Sequence, residues 1–292
     1  MSKHLVAAIQ FAAGTDVIIN LGIVSELVAK AVDRGAGLVV LPENLALMGR
    51  QETDKLHIAE TEGNGPIQDY LADLAVSKAV WIVGGTIPLQ SSLGKVTASS
   101  LVYDDSGKQV GRYDKIHLFD VDVPGSKEQY RESATIDAGD KPLILDSPFG
   151  KLGVTVCYDL RFPELYRQMV DAGVEIFAVP AAFTAKTGAA HWELLVRARA
   201  VENLAYVVAS GQGGLHENGR ETYGNSMIVD PWGTVVARLG IDPGVAVAEI
   251  DLDKQRTYRE LFPVLTHRKM DSVRHGVASL NLTELKPHGT YM

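Results

Sequence analysis

Two distant stretches of this chain read alike, and the segments downstream of them read alike as well. Residues 31–42 are AVDRGAGLVVLP and residues 169–180 are MVDAGVEIFAVP. Both give Val-Asp, one residue, Gly, two residues, four apolar residues and Pro. Downstream, SLVYDDSGKQV (100–110) matches SMIVDPWGTVV (226–236), with Ser, Asp, Gly and Val at the same offsets. Two matched pairs in the same order mark a duplicated unit, and a duplication restricts the fold more than any other feature of the chain.

Each copy opens on a short apolar run, LVAAIQF (5–11) or KLGVTVC (151–157), that reads as a buried strand. A helix-like segment comes next, over 20–35 with Asn20 as N-cap and Gly35 as stop, or over 161–173 with Pro163 near its start, where a missing N–H costs nothing. A second buried strand ends at Pro42 or Pro180. Another helix succeeds it, over 65–79 or 189–205, where Glu193 and Arg197 are spaced to pair on one face. Each copy closes with VWIVGGTI or YVVASGQ and a hairpin turning at DDSG or DPWG.

The pattern gives two β-α-β-α-β-β halves, each a sheet with helices on one face. Buried strands need cover on both faces, so the two sheets pack together as an α/β four-layer α-β-β-α sandwich, a single domain over residues 1–271. The segment from about Lys254 has no counterpart in the first half and is expected to wrap a neighbouring subunit or to be mobile. Residues 272–292 are expected to form a C-terminal tail that contacts a partner subunit or is mobile.

The 292 residues are 46% apolar and 22% charged, the profile of a soluble globular chain long enough to bury a core without staples. The single cysteine, Cys157, excludes an internal disulfide and a four-cysteine zinc site, and it fits a reducing, cytoplasmic setting. The opening MSKHLVAAIQF has no apolar stretch of signal-peptide length and no run reaches membrane length, so neither a signal peptide nor a membrane span is expected. A net charge of −8 without a basic cluster argues against nucleic acid or an anionic membrane as partner. The histidines lack zinc-hydrolase spacing, so a zinc hydrolase is not expected, and no P-loop, dinucleotide fingerprint or Gly-x-Ser-x-Gly elbow occurs.

Ligands gather at the carboxyl ends of strands in α/β sheets. Glu43 comes directly after GLVVLP. Cys157 closes GVTV just before a helix, whose positive end favours thiolate. Gln10 is taken as the first-half equivalent of Cys157, and Ala181 as the second-half equivalent of Glu43, so one asymmetric site between the halves is expected. Lys115 leaves the end of the first hairpin. Read alone, Cys157 is equally a core residue or a nucleophile, Glu43 fits a loop acid, and Lys115 fits a solvated loop lysine.

Taken together, these residues give the chain its resemblance to the nitrilase superfamily of carbon–nitrogen hydrolases. The blocks LVVLPEN, RYDKIHLFDVDVPG, VCYDLRFPELYR, TGAAHWELLVRARAVEN and YGNSMIVDPWGTVVA occur in the family's order. Within it the chain resembles the Nit branch, leaning to the deaminated glutathione amidases over the neighbouring omega-amidases. The resemblance implies the four-layer fold, homodimers or larger assemblies, and no cofactor. It casts Cys157 as nucleophile, Glu43 as general base, Lys115 as oxyanion lysine and Glu132 as second site glutamate, with Glu128 as the alternative. The implied reaction hydrolyses a carboxamide through a thioester and releases ammonia. Tyr158 would contribute its backbone N–H to the oxyanion. Arg161 would hold the carboxylate of a small amide substrate, or else pair with Glu164 or an interface acid. Omega-amidase activity on 2-oxoglutaramate or 2-oxosuccinamate is the near alternative. A non-catalytic interaction protein on the same fold is the alternative of another class.

Overall fold

The duplication reappears in the order of elements. The computed structural model describes residues 3–125 and 128–269, so the expected 272–292 tail lies outside the described residues. The first half runs β1 (Lys3–Gln10), α1 (Val17–Asp33), β2 (Leu38–Val40), the short α2 (Asp54–His57), α3 (Pro66–Lys78), β3 (Trp81–Val83), β4 (Ile87–Gln90), β5 (Val96–Tyr103) and β6 (Gln109–Asp114). A small ribbon, β7 (Asp120–Asp122) with β8 (Gln129–Arg131), links the halves. The second half runs β9 (Leu143–Ser147), β10 (Gly150–Val154), α4 (Pro163–Asp171), β11 (Ile176–Ala181), α5 (Ala185–Asn203) and β12 (Tyr206–Gly211). It continues through the ribbon β13 (Gly213–Leu215) and β14 (Glu221–Tyr223) to β15 (Met227–Val229) and β16 (Val235–Arg238). Last come β17 (Gly244–Asp251) and α6 (Leu252–Leu261).

One sheet has the order β17-β1-β2-β3-β5-β4, with β6 on the other edge of β5. The second has the order β16-β15-β12-β11-β10-β9. In each, three parallel strands are flanked by antiparallel ones, β17 and β5 in the first sheet, β9 and β15 in the second. The antiparallel strand outside β1 or β10 goes beyond the repeat expected from sequence. Alternation along β1 separates the layers. Val6 and Ala8 join the core shared with Val154 and Ala178 of the facing sheet. Ala7 and Ile9 pack with Val24, Leu27 and Val28 of α1 and Leu71 and Leu74 of α3. Leu165 and Met169 of α4 and Val196 and Ala200 of α5 cover the second sheet. These are the four layers.

The repeat extends to single hydrogen bonds. Asp104 Oδ1 accepts from the N–H groups of Ser106 and Lys108, and Asp230 Oδ1 from those of Trp232 and Thr234, at 2.9–3.0 Å. The same two-residue offset in both hairpins is an Asx turn, and it explains why each turn begins with Asp.

Three expectations are corrected. Asp16, not Asn20, caps α1, accepting from Ile19 N at 3.0 Å. Asn20 is buried inside the first turn, where its amide bonds Gly14 and Ala46 and ties the helix to the loop after β2. The segment after Lys254 docks on its own chain as far as it is described. Gln255 donates to the carbonyls of Glu175 and Leu204, and Arg259 to those of Leu204 and Val174. The third correction concerns Gln10. Val6 pairs with Leu38 and Leu152 with Ile176, which aligns residue 11 with 157, so Phe11 and not Gln10 occupies the place of Cys157.

Gln10 instead fastens the two sheets together. Its side chain is fully buried, donates to the carbonyls of Gly240 and Asp242 at 2.8 Å each, and accepts from the N–H and hydroxyl of Ser226 at 2.8 and 2.9 Å. Deleting it strands several buried polar groups, each costing about 1–3 kcal/mol. Gln10→Ala is therefore expected to lower stability by about 3 kcal/mol or more. Urea unfolding checks this as a lower midpoint at unchanged slope. A loss below about 1 kcal/mol would mean that water replaces the amide.

Candidate active site

The sheets face each other with the carboxyl ends of β2 and β10 at one end of the sandwich, and the first two site residues stand just past those ends. Glu43 comes after β2 and Leu41, whose N–H still bonds Val83. The turn is tight. Gly85 has φ +54 and approaches so closely that a Cβ there would lie 2.1 Å from the Pro42 carbonyl oxygen. Asn44, at φ 56, donates its N–H to Thr86 Oγ1 at 2.8 Å, and Gln212 Nε2 donates to the Glu43 carbonyl at 2.9 Å. A buried carboxylate thus sits on a backbone clamped by both halves.

Lys115 comes directly after β6, its backbone held by bonds to Ala98 and Gly139. The ammonium is 2.8 Å from Glu43 Oε1 and 2.8 and 3.0 Å from the two oxygens of Glu132. Lys115 is 1% exposed and Glu43 3%. Burial alone would push the lysine's pKa down, but the charges of Glu132 and Glu43 outweigh it and hold the value well above the usual lysine range. Burial likewise works against the Glu132 carboxylate, and the Lys115 ammonium with the Phe119 N–H (2.8 Å) overcomes it, leaving that carboxyl below its ordinary value. Lys115 is therefore a permanent cation shared by two carboxylates. Glu132 is the glutamate on Lys115, while Glu128 accepts from the Tyr130 hydroxyl at 2.9 Å and lines a neighbouring recess.

Cys157 begins a five-residue 3₁₀ turn, Cys157–Arg161, at a positive φ of 47. A non-glycine residue there is uncommon and turns the side chain sharply out of the strand direction. The expected thiolate is not what this environment favours. Burial pushes the thiol's pKa up and the adjacent Glu43 carboxylate pushes it further, while Lys115 and the Ala182 N–H pull the other way and lose. The environment favours a neutral thiol beside the Glu43 carboxylate. A single 3₁₀ turn is too short to offset burial.

Asp159 holds this turn against the lysine loop. It is fully buried and accepts from Val156 N (2.8 Å), the Tyr113 hydroxyl (2.7 Å) and His117 N (3.1 Å), and its Oδ1 lies 2.7 Å from His117 Nδ1. Tyr113 and His117 flank Lys115 in sequence. Burial and the Asp159 charge keep the Tyr113 phenol well above its usual pKa, so it remains a donor. The His117 ring stacks on Phe162 at 3.6 Å. None of these three was identified from sequence. The visible signal was an Asp two residues after the cysteine, and an Asp in a loop is ordinarily a surface residue.

Glu43, Glu132, Cys157, Tyr158 and Arg161 line one cavity with Phe183, Thr187 and Arg220, about 290 Å³ including its mouth. The Tyr158 ring packs edge-on against Phe119 and Phe162. The Arg161 guanidinium lies 5.8 Å from the Tyr158 ring and 5.4 Å from that of Phe183, with His191 Nδ1 3.3 Å away. It does not pair with Glu164 among the described residues. Among the described residues no group of three His, Cys, Asp or Glu side chains is placed to hold a metal ion. No described helix is long and apolar enough to cross a membrane.

Comparison with known proteins places this arrangement. Residues 5–260 match the model of the carbon-nitrogen hydrolase family. A deaminated glutathione amidase of Synechocystis sp. is 42% identical over 92% of this chain and 99% of its own length. A human protein of the same name is 39% identical over 91% of this chain and 83% of its own. Among solved structures, Saccharomyces cerevisiae Nit3, a member of branch 10 of the nitrilase superfamily, superposes at a TM-score of 0.81 with 30% identity, covering 90% of this chain and 95% of that one. The Caenorhabditis elegans NitFhit protein superposes at 0.85 with 35% identity, covering 92% of this chain and 66% of the longer NitFhit chain. With the family match over nearly all of its length, on a nitrilase-type α-β-β-α sandwich, the chain belongs to the carbon-nitrogen hydrolases, enzymes that cleave carbon–nitrogen bonds other than peptide bonds.

Proposed function

We propose that the chain is a cysteine-dependent amidase whose substrate is deaminated glutathione. One observation carries the chemistry. The Cys157 thiol and the Glu43 carboxylate positioned to take its proton line one cavity, and the buried Lys115 ammonium bonds that carboxylate at 2.8 Å. The amidase-named relatives, which align over nearly the whole chain, support the substrate.

Glu43 takes the Cys157 proton as sulfur attacks the amide carbon. The carbonyl oxygen becomes an oxyanion, met by the Lys115 ammonium and the backbone N–H of Tyr158. Glu43 then passes the proton to the amide nitrogen, the C–N bond breaks and a thioester remains on Cys157. Next Glu43 deprotonates a water, which attacks the thioester. The acid leaves and the thiol regains its proton. Glu132 keeps Lys115 charged and oriented throughout. Arg161 holds the carboxylate of the 2-oxo acid, as a guanidinium with no acid partner among the described residues can.

The substrate determines the leaving group. Deaminated glutathione keeps the γ-linked amide of glutathione and has no primary carboxamide. Its cleavage yields 2-oxoglutarate and the amine of cysteinylglycine. The ammonia expected from sequence is the product only of primary amides such as 2-oxoglutaramate. The proposal includes pairing of like chains, supported by an exposed apolar group in which Trp232 (54% exposed) packs on Tyr258 and Phe262. It also includes a cytoplasmic setting, which suits a catalytic thiol with no disulfide partner.

The test is 2-oxoglutarate release from deaminated glutathione beside ammonia release from 2-oxoglutaramate, with Cys157→Ala as blank. A higher kcat/KM on deaminated glutathione is expected, and a preference for 2-oxoglutaramate would make the chain an omega-amidase with the same machinery. Glu43→Gln should cut turnover by about 10²–10⁴-fold, and a loss under tenfold would remove Glu43 as base. The raised thiol pKa gives a second expectation. At a pH of about 8.5, where a free cysteine is half ionised, wild type should show no ultraviolet thiolate band above the Cys157→Ala blank. Because the Glu43 charge raises that pKa, Glu43→Gln should move ionisation to lower pH. A wild-type band already present at neutral pH would show that the resting nucleophile is a thiolate.

A further inference from the structure

The reactive cavity has a neighbour. A more open recess, about 1210 Å³ including its mouth, lies beside it, and two residues, Glu132 and Arg220, line both. The Glu132 carboxylate is committed to Lys115 and to the Phe119 N–H. Arg220 is different. It stands just before β14, its guanidinium 5.0 Å from the Tyr130 ring centroid. Nη2 donates to the Ala182 carbonyl at 2.9 Å, and Nη1 has only the Met48 sulfur at 3.8 Å. Nε is buried without a hydrogen-bond partner. No acid pairs with Arg220 among the described residues. A cation with unused donors on the boundary of a reactive cavity fits an anion that arrives with the substrate.

We propose that Arg220 is a specificity residue for the leaving group, binding the carboxylate of the amine that departs from the thioester. The inference rests on the reading that deaminated glutathione is the substrate, and it divides that substrate between the two cavities. The 2-oxo acid end lies in the smaller cavity with Cys157 and Arg161. The cysteinylglycine end runs past Glu132 into the open recess, its terminal carboxylate on Arg220. An extended dipeptide spans about 7 Å, enough to separate the two anionic ends by more than the acyl group alone provides. Of the other basic residues lining the recess, Lys55 is paired with Glu52 at 2.7 Å and Arg50 does not line the reactive cavity. The open mouth suits this end of the substrate, because the amine has to leave before water can reach the thioester.

The experiment compares deaminated glutathione with the same compound capped as an N-methylamide at its glycine carboxylate, reading 2-oxoglutarate release, with 2-oxoglutaramate in parallel. Capping should lower the wild-type kcat/KM at least tenfold. Arg220→Gln should bring the uncapped substrate down to about the capped level without multiplying the two losses. It should also lower the ratio of deaminated glutathione to 2-oxoglutaramate turnover at least tenfold, with Arg220→Lys falling between. A wild-type enzyme indifferent to the cap, a result independent of any variant's folding, overturns the assignment. So do equal losses on deaminated glutathione and 2-oxoglutaramate in Arg220→Gln. If wild type cleaves 2-oxoglutaramate but not deaminated glutathione, the substrate reading itself falls and takes this inference with it.

Discussion

The site depends on one ion cluster, the Lys115 ammonium between the carboxylates of Glu43 and Glu132 at 2.8 Å each. Two glutamates could not both stay ionised in so dry a place beside a thiol without a cation between them, and the cation could not stay charged without them. Each group alone faces a desolvation cost of several kcal/mol, and together the cluster carries a net charge of −1. Burial, helped by that residual negative charge, holds the proton on Cys157. In the proposed mechanism the nucleophile is thus neutral at rest and is activated during attack, when Glu43 takes its proton. A buried cluster of this kind is weak as a source of stability and strong as a constraint on geometry. It requires the ends of β2 and β6 and the 3₁₀ turn at Cys157 to meet within a few ångströms, and the clamps on Glu43 and the Asp159 contacts keep them there.

Much of the fold was legible because a duplication repeats local chemistry. The Asp that opens each hairpin turn, the positive-φ glycines Gly35 and Gly173, and the prolines just past β2 and near the end of β11 all act over a few residues, and such patterns survive in a single sequence. The features that could not be read act at a distance. Asn20 looks like a helix cap in sequence and is a buried bridge to Ala46 because Asp16 already caps the helix. Aligning Gln10 with Cys157 was wrong by one residue because strand register is set by pairing partners far along the chain. The site residues with an ionisable group at a strand end, Glu43, Lys115 and Cys157, were found by position, and the family resemblance supplied their roles. Asp159 and Arg220 were missed because their meaning lies in the groups they face. One faces Tyr113 and His117, the other a cavity boundary, and neither relation leaves a local pattern.

The duplicated halves do not duplicate the site. By strand register the counterpart of Cys157 is Phe11 and that of Glu43 is Ala181, both buried and apolar. Each half supplies one reactive strand end and one inert one, and the inert ends have structural roles. Phe11 packs with the α1 and α3 layer, and Ala181 leads into Ala182, whose N–H reaches the thiol and whose carbonyl takes a bond from Arg220. The symmetry thus supplies a scaffold with two facing sets of strand ends, and the chemistry comes from breaking it once.

The pairing of β1 with β17 sets the order in which such a molecule can come into being. Lys3 lies opposite Asp251 and Gln10 opposite Gly244, so β1 pairs on one side with β17, the last strand among the described residues. The first sheet cannot cover the outer edge of β1 until nearly the whole second half has been made. Closing so long a loop before the contacts repay it is the kind of event that slows folding. A first half emerging alone would hold an unpaired, wholly apolar edge at Val6–Ile9, the sort of edge that invites association with other chains. The strand that seals the sheet therefore also makes the two halves one folding unit, and a site assembled from both halves forms only once the second half is present.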